Sequence, residues 1–140
     1  MRIAELIATV VVIDLTSSMP FLDEALESPG VSLRVVRPAN AEQVRQALVV
    51  KRAPSGGARL ALIVAASKSD PGLALLEEFR HEPLCANLPC VVLIAQRDDE
   101  LVGECVRLGA NSIVLVPTEA DERSEAISSI LTYWLQLNRS

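Results

Sequence analysis

The chain has 140 residues, half of them apolar and 22% charged, with a net charge of −5 and only 3% aromatic residues. That suits one globular domain, residues 1–140, whose core must be built from Val, Leu, Ile and Ala. The acidic balance and the lack of a Lys/Arg cluster argue against nucleic acid as a main partner, because phosphate binding needs a basic face.

The longest apolar run, Ala8 to Ile13 with Thr9 inside it, is too short to span a bilayer. The start, "MRIAELIATVVVIDL", has an acid before its apolar stretch and no small-residue cleavage site, unlike a signal peptide. Cys85, Cys90 and Cys105 have neither the number nor the spacing of a disulfide framework or a zinc site. Packed, reduced thiols in a cytoplasmic protein are the expectation, with no membrane association.

Val10 to Asp14 is a β-branched run ending in an acid, as in a central strand. Ser17, Ser18 and Pro20 signal a helix start, and Phe21, Leu22, Ala25 and Leu26 recur at helical spacing until "SPG" at 28–30. Val31 to Val36 alternates like a strand. Asn40 caps the next helix, with Gln43 three residues on as in a capping box. Val44 and Leu48 lie on that helix's inner face, and "APSGGA" at 53–58 has loop composition.

Leu60 to Ala66 is the third strand. Leu75, Leu76 and Phe79 mark a helix between Pro71 and His81. After the loop "HEPLCANLP", Val91 to Ala95 is the fourth strand. A helix runs from about Asp98 to Leu108, with Gly109 as its left-handed C-terminal residue. Ile113 to Val116 is the fifth strand. Thr118 and Asp121 resemble a capping box for a last helix carrying Ile127, Ile130, Leu131 and Trp134 at i, i+3, i+4, i+7.

Strand and helix alternate five times, and four strands are apolar on both faces, as buried parallel strands are. This predicts an α/β fold: a five-stranded parallel sheet of order 2-1-3-4-5 with helices on both faces. Its site would lie beyond the carboxyl ends of the strands, at Asp14, Val64, Ile94 and Val116.

Chemistry there is sparse. Asp14 is the only acid at those four ends, and one carboxylate binds Mg²⁺ poorly. No glycine-rich turn follows the first strand, so the dinucleotide and P-loop motifs are absent. A flavin would find few aromatic side chains to stack on. Asp14 is therefore expected to be a leftover acid or a cap near the first helix. His81 has no visible base partner, and no nucleophile–base pair is evident, so the chain is not expected to be an enzyme. No cofactor is expected.

Spacing then carries a resemblance. "LPCVVLIAQRDDELVGECVRLGANSIVLVP", "LTSSMPFLDEALESPG" and "PGLALLEEFR" resemble the response-regulator receiver domain (CheY-like) over essentially the whole chain. The resemblance implies a fold of the flavodoxin-like class and a role in bacterial two-component signalling. It also implies six site positions. The phosphoacceptor Asp falls on Val64, and the acidic Mg²⁺ pair on Ile13 and Asp14. The Thr/Ser falls on Ile94, the switch aromatic on Ile113 and the Lys on Val116, with Pro117 kept. Only Asp14 retains its chemistry.

The losses agree physically, since a lysine facing a buried valine would be a desolvated, unpaired charge. The resemblance thus implies a degenerate pseudo-receiver that acts by protein contact. Its face would be helix four, strand five and helix five, with Tyr133, Trp134 and Leu137 as contact residues; the rival arrangement folds Tyr133 and Leu137 back over the domain. A protein partner (histidine kinase, output or scaffold protein) or a homodimer is expected, with no separate output domain. Two alternatives stay open. One is a phosphorylatable receiver with a displaced acceptor, Asp14 or Asp70. The other is a small-ligand-binding flavodoxin-like domain.

Overall fold

The computed structural model describes residues 8–27, 33–50, 58–83 and 85–137. The chain-end of the first helix at 28–30, the start of the second strand at 31–32 and most of the 53–58 loop lie outside the described residues. The elements run β1 (Ala8–Ile13), α1 (Leu22–Glu27), β2 (Leu33–Val36), α2 (Ala41–Val50), β3 (Ala58–Val64), α3 (Pro71–His81), β4 (Cys90–Ile94), α4 (Asp99–Arg107), β5 (Ser112–Leu115) and α5 (Ala120–Leu137). All strand pairs are parallel, in the expected order β2-β1-β3-β4-β5.

Period-two alternation divides the core between the two faces of the sheet. Val11, Ile13, Ala61, Ile63, Val92 and Ile94 pack under α2, α3 and α4, against Val44, Leu73, Phe79 and Leu101. Val10, Val12, Leu60, Leu62, Val64 and Leu93 pack under α1 and α5, against Leu22, Leu26, Ile127 and Leu131. Each fully buried Leu or Ile contributes about 1.5–3 kcal/mol. With few aromatic residues, the core depends on many such aliphatic contacts. Among the described residues no helix is long and apolar enough to cross a membrane.

The strands begin earlier than their apolar runs. Ala8, Ala58, Cys90 and Ser112 have weak strand signals of their own, yet each has a paired neighbour: Leu33, Thr9, Ala61 and Val91 respectively. At the other end, Asp14, Ala65, Ala66, Ala95 and Val116 lie just past their strands. The Ala65 and Val116 N–H groups still reach Leu93 O (3.0 Å) and Ile94 O (2.8 Å).

The caps follow residue chemistry. Gln43 N–H donates to Asn40 Oδ1 (2.9 Å), and the Gln43 side chain accepts from Ala39 N–H (2.8 Å). α4 ends with Gly109 at φ +92°, and Ala110 N–H returns to Cys105 O (3.1 Å), as expected for a left-handed terminal residue. The cap of α5 differs from expectation. Glu119, not Thr118, accepts from the backbone, at Glu122 N–H (2.9 Å).

Candidate functional site at the carboxyl end of the sheet

The strand order reverses between β1 and β3, so the loops after them frame the switch-point crevice. After β1 the chain turns through Leu15–Met19. Asp14 closes that turn: Oδ1 accepts from Ser18 N–H (2.8 Å) and Oδ2 from Met19 N–H (2.9 Å). Ser17 within it takes the left-handed backbone conformation at φ 54°, which costs about 1–2 kcal/mol for a residue with a Cβ. Two charge-assisted bonds offset that strain. Asp14 thus braces the loop between β1 and α1; its partners Ser18 and Met19 precede α1, which begins at Leu22, so it does not cap that helix's own N–H groups.

Asp70 performs the same task after β3. It is buried, 5% exposed, and caps α3. Oδ1 accepts from Gly72 N–H (2.9 Å) and Oδ2 from Ala66 N–H (2.9 Å). After β4, Asp98 caps α4 by accepting from Glu100 N–H (3.1 Å) and Leu101 N–H (3.2 Å). All three acids are engaged by main-chain donors of their own loops.

The remaining predicted positions are apolar and packed. Ile13, Val64, Ile94 and Val116 are all buried, and Ile113 is half-buried against the α4-side core. Val64 and Val116 belong to the α5-side core, Ile13 and Ile94 to the other, so the sheet separates them. Of these only Val64 lines the adjoining cavity of about 410 Å³, together with Ser18, Met19, Ala65, Ala95, Gln96 and Leu101 among others. Beyond it Lys68 Nζ meets Glu100 Oε2 at 2.9 Å, and that hydrogen bond holds the exposed Lys68 ammonium above its usual range. Among the described residues no group of three or more His, Cys, Asp or Glu could hold a metal ion. A receiver-type Mg²⁺ site does not fit these residues: the Ile13 side chain offers no donor, and that leaves Asp14 as the lone carboxylate of the pair.

The other candidates are structural. His81 is exposed, with Nδ1 2.9 Å from Glu77 O. Cys85, Cys90 and Cys105 are free and buried. Burial pushes all three thiols up, Cys90 to about 11, which makes them poor nucleophiles. Tyr133 is 58% exposed, and Trp134, half-buried against the α5-side core, meets its ring edge-on at 5.1 Å. The Leu137 side chain lies outside what is described. Leu135 between them is buried.

Two features escaped the sequence. One is Arg80, at the opposite end of the sheet. Its guanidinium donates to Gly109 O (3.0 and 2.7 Å), Leu88 O (2.9 Å), Ala86 O (3.3 Å) and Asn111 Oδ1 (2.7 Å). Nothing in an isolated arginine signals main-chain partners so far along the chain. The other is exposure of Val106 and Leu115, at 64% and 50%. Leu115 lies at the end of β5, an edge strand of the sheet, and Val106 on the outer side of α4.

Comparison with protein-family models finds no match, and neither does comparison with curated proteins. Solved structures do match. A phosphorylated cyanobacterial phytochrome response regulator is 17% identical, with TM-score 0.76, over 94% of this chain and 96% of its own. A response regulator in red light signaling of R. palustris is 18% identical, with TM-score 0.77, over 91% and 94%. A Vibrio cholerae chemotaxis protein is 15% identical, with TM-score 0.65, over 91% and 98%. The likeness is one of fold, and it covers nearly the whole of each chain: this protein has the fold of the response-regulator receiver domain.

Proposed function

We propose that this chain is a phosphorylation-independent pseudo-receiver, a non-enzymatic component of two-component-type signalling in the cytoplasm that acts through protein contacts. The observation that carries the reading is Val64. It ends β3, where the receiver resemblance puts the phosphoacceptor, and it is 1% exposed. A valine there accepts no phosphoryl group, and its neighbours at the Thr/Ser and Lys positions, Ile94 and Val116, are equally apolar and buried.

The two acids that could serve as displaced acceptors are poorly placed to do so. Asp14 and Asp70 each spend both oxygens on backbone N–H groups. Phosphorylating either would break the turn it closes. Function then moves to the outer faces. Three of the four large apolar side chains exposed among the described residues are Val106 on α4, Leu115 on β5 and Tyr133 on α5. Such a surface suits a protein partner, whether a histidine kinase, an output protein or a scaffold.

The test is incubation with acetyl phosphate and Mg²⁺ followed by intact mass. The unmodified mass is expected. A gain of about 80 Da that disappears on mutating Asp14 or Asp70 overturns the reading. A second reading, a small-ligand-binding domain, draws on the cavity of about 410 Å³ above Val64. A rise in melting temperature with flavins or nucleotides would favour it.

A further inference from the structure

The cleft at the carboxyl end of the sheet stays open although the chemistry expected there is replaced by aliphatic side chains. Its floor, Met19, Val64, Ala65 and Leu101, is buried and apolar. At the rim, Ala66 and Ala95 are exposed and too small to close it. The volume of about 410 Å³ falls in the range of small-molecule sites. The walls are already fixed. Asp14 ties down the loop that carries Ser18 and Met19, and Asp70 the loop that carries Ala66. The Lys68–Glu100 pair joins that second loop to α4. A ligand entering here has little chain to order, which favours binding.

The same walls select the charge of the occupant. The N–H groups of Ser18, Met19, Ala66 and Leu101 are taken by Asp14, Asp70 and Asp98, and that of Ala65 by Leu93 O. An anion would find those main-chain donors spent and three carboxylates around it. The two cations near the mouth are paired, Lys68 with Glu100 at 2.9 Å and Arg97 with Asp99 at 3.7 Å. Among the described residues Asp14, Asp70 and Asp98 form no ion pair. Asp98, at the rim, gives only Oδ1 to α4 (3.1 and 3.2 Å), so Oδ2 keeps its lone pairs for a ligand.

We propose that this cleft binds a small organic cation, with an apolar body over the floor and an ammonium group at Asp98. The inference deepens the small-ligand reading of the cavity and needs no phosphoryl transfer. A cleft whose walls carry one sign of charge over an apolar floor focuses that field on its occupant. A metal ion is a poor occupant, because no group of three or more ligating side chains gathers among the described residues. An organic cation needs one carboxylate and an apolar surface, and both are present.

Three indoles of similar shape test the charge: tryptamine (cation), tryptophol (neutral) and indole-3-acetate (anion), each titrated into the full chain and read by amide NMR. Tryptamine should shift Ala65, Ala66, Ala95 and Gln96 and bind about three- to fivefold tighter than tryptophol, with indole-3-acetate weakest. Salt at about 0.5 M should narrow that gap. Asp98→Asn keeps a competent helix cap and should bring tryptamine to the tryptophol value. Ala95→Leu, at an exposed rim residue, should close the cleft to all three. No shift at the lining with any probe overturns the proposal, as does an order led by tryptophol or indole-3-acetate. So do tryptamine shifts that survive in A95L, or a charge preference that D98N leaves intact. Acetyl phosphate treatment of the same sample, read by intact mass, keeps the two readings apart. Lining shifts together with a phosphoryl gain support the cation cleft and remove phosphorylation independence. No shifts and no gain remove the cation cleft alone.

Discussion

The two ends of the sheet satisfy their chain reversals with opposite charges. At the carboxyl end, Asp14 and Asp70 each gather two backbone N–H groups over an apolar floor of Val64, Ala65 and Met19. At the amino end, the Arg80 guanidinium gathers the carbonyls of Ala86, Leu88 and Gly109 and the side chain of Asn111. Asn111 in turn accepts from Cys90 N–H (2.8 Å), so the guanidinium reaches the first rung between β4 and β5. Charge at both ends is spent on holding turns. Among the described residues, the tips of β3, β4 and β5, where chemistry would be sought, end in apolar side chains, and that contrast can be tested by moving charge between the two ends.

The largest effect should come from restoring an acid to the apolar floor. Val64→Asp places a carboxyl at a position 1% exposed. It should cost about 3–5 kcal/mol at pH 7, against about 1–3 kcal/mol for Val64→Ala. Burial raises the new carboxyl's pKa, so between its unfolded and folded values the native state binds more protons than the unfolded one. The penalty is therefore full above the folded pKa and relieved as pH falls through it. Urea unfolding at pH 5 and pH 8 measures this. A V64D variant as stable as V64A at both values would mean that the cavity hydrates the acid, and the carboxyl end would no longer count as core.

Removing the cation from the amino end should come next. Arg80→Ala leaves carbonyls in two turns without donors and should cost about 3 kcal/mol. Arg80→Lys keeps the charge but not the planar fork, and should recover less than half of that. The side chain also packs on Gly109, where a Cβ would lie 3.2 Å from Arg80 Nε. Hydrogen exchange should quicken at Asn111–Leu115 in R80A and leave β1 unchanged. Equal exchange along both strands would make Arg80 a surface decoration.

These two positions also mark what the sequence disclosed. The order of elements, the parallel sheet and the apolar identity of Val64, Ile94 and Val116 were legible, because period and residue type are local. Asp14's partners, Ser18 and Met19, lie within five residues, but the cap expected near the first helix is instead a brace of the loop before it. Arg80 was not legible, since its partners reach as far as residue 111. The cap of α5 was misplaced by one residue because Thr118, Glu119 and Asp121 are all competent acceptors, and backbone geometry chooses among them. The strand starts at Ala8 and Ser112 depend on partners in other strands, which periodicity cannot see.

The smallest effects separate the two aspartates. Asp70 is buried and caps an eleven-residue helix, so Asp70→Ala leaves the buried Gly72 N–H without its acceptor and frees the part-buried Ala66 N–H. It should cost about 2 kcal/mol. Asp14 is half-buried and closes a loop whose serine hydroxyls and backbone lie near solvent. Water can replace much of what Asp14→Ala removes, so about 1 kcal/mol is expected, part of it from Ser17 losing the brace on its left-handed backbone. A Ser17→Gly change in the D14A background should recover a few tenths of a kcal/mol, since glycine takes φ 54° without that strain. Recovery of the whole loss would assign Asp14 entirely to bracing the turn. No recovery would mean that the turn reforms without its left-handed residue once the carboxylate is gone.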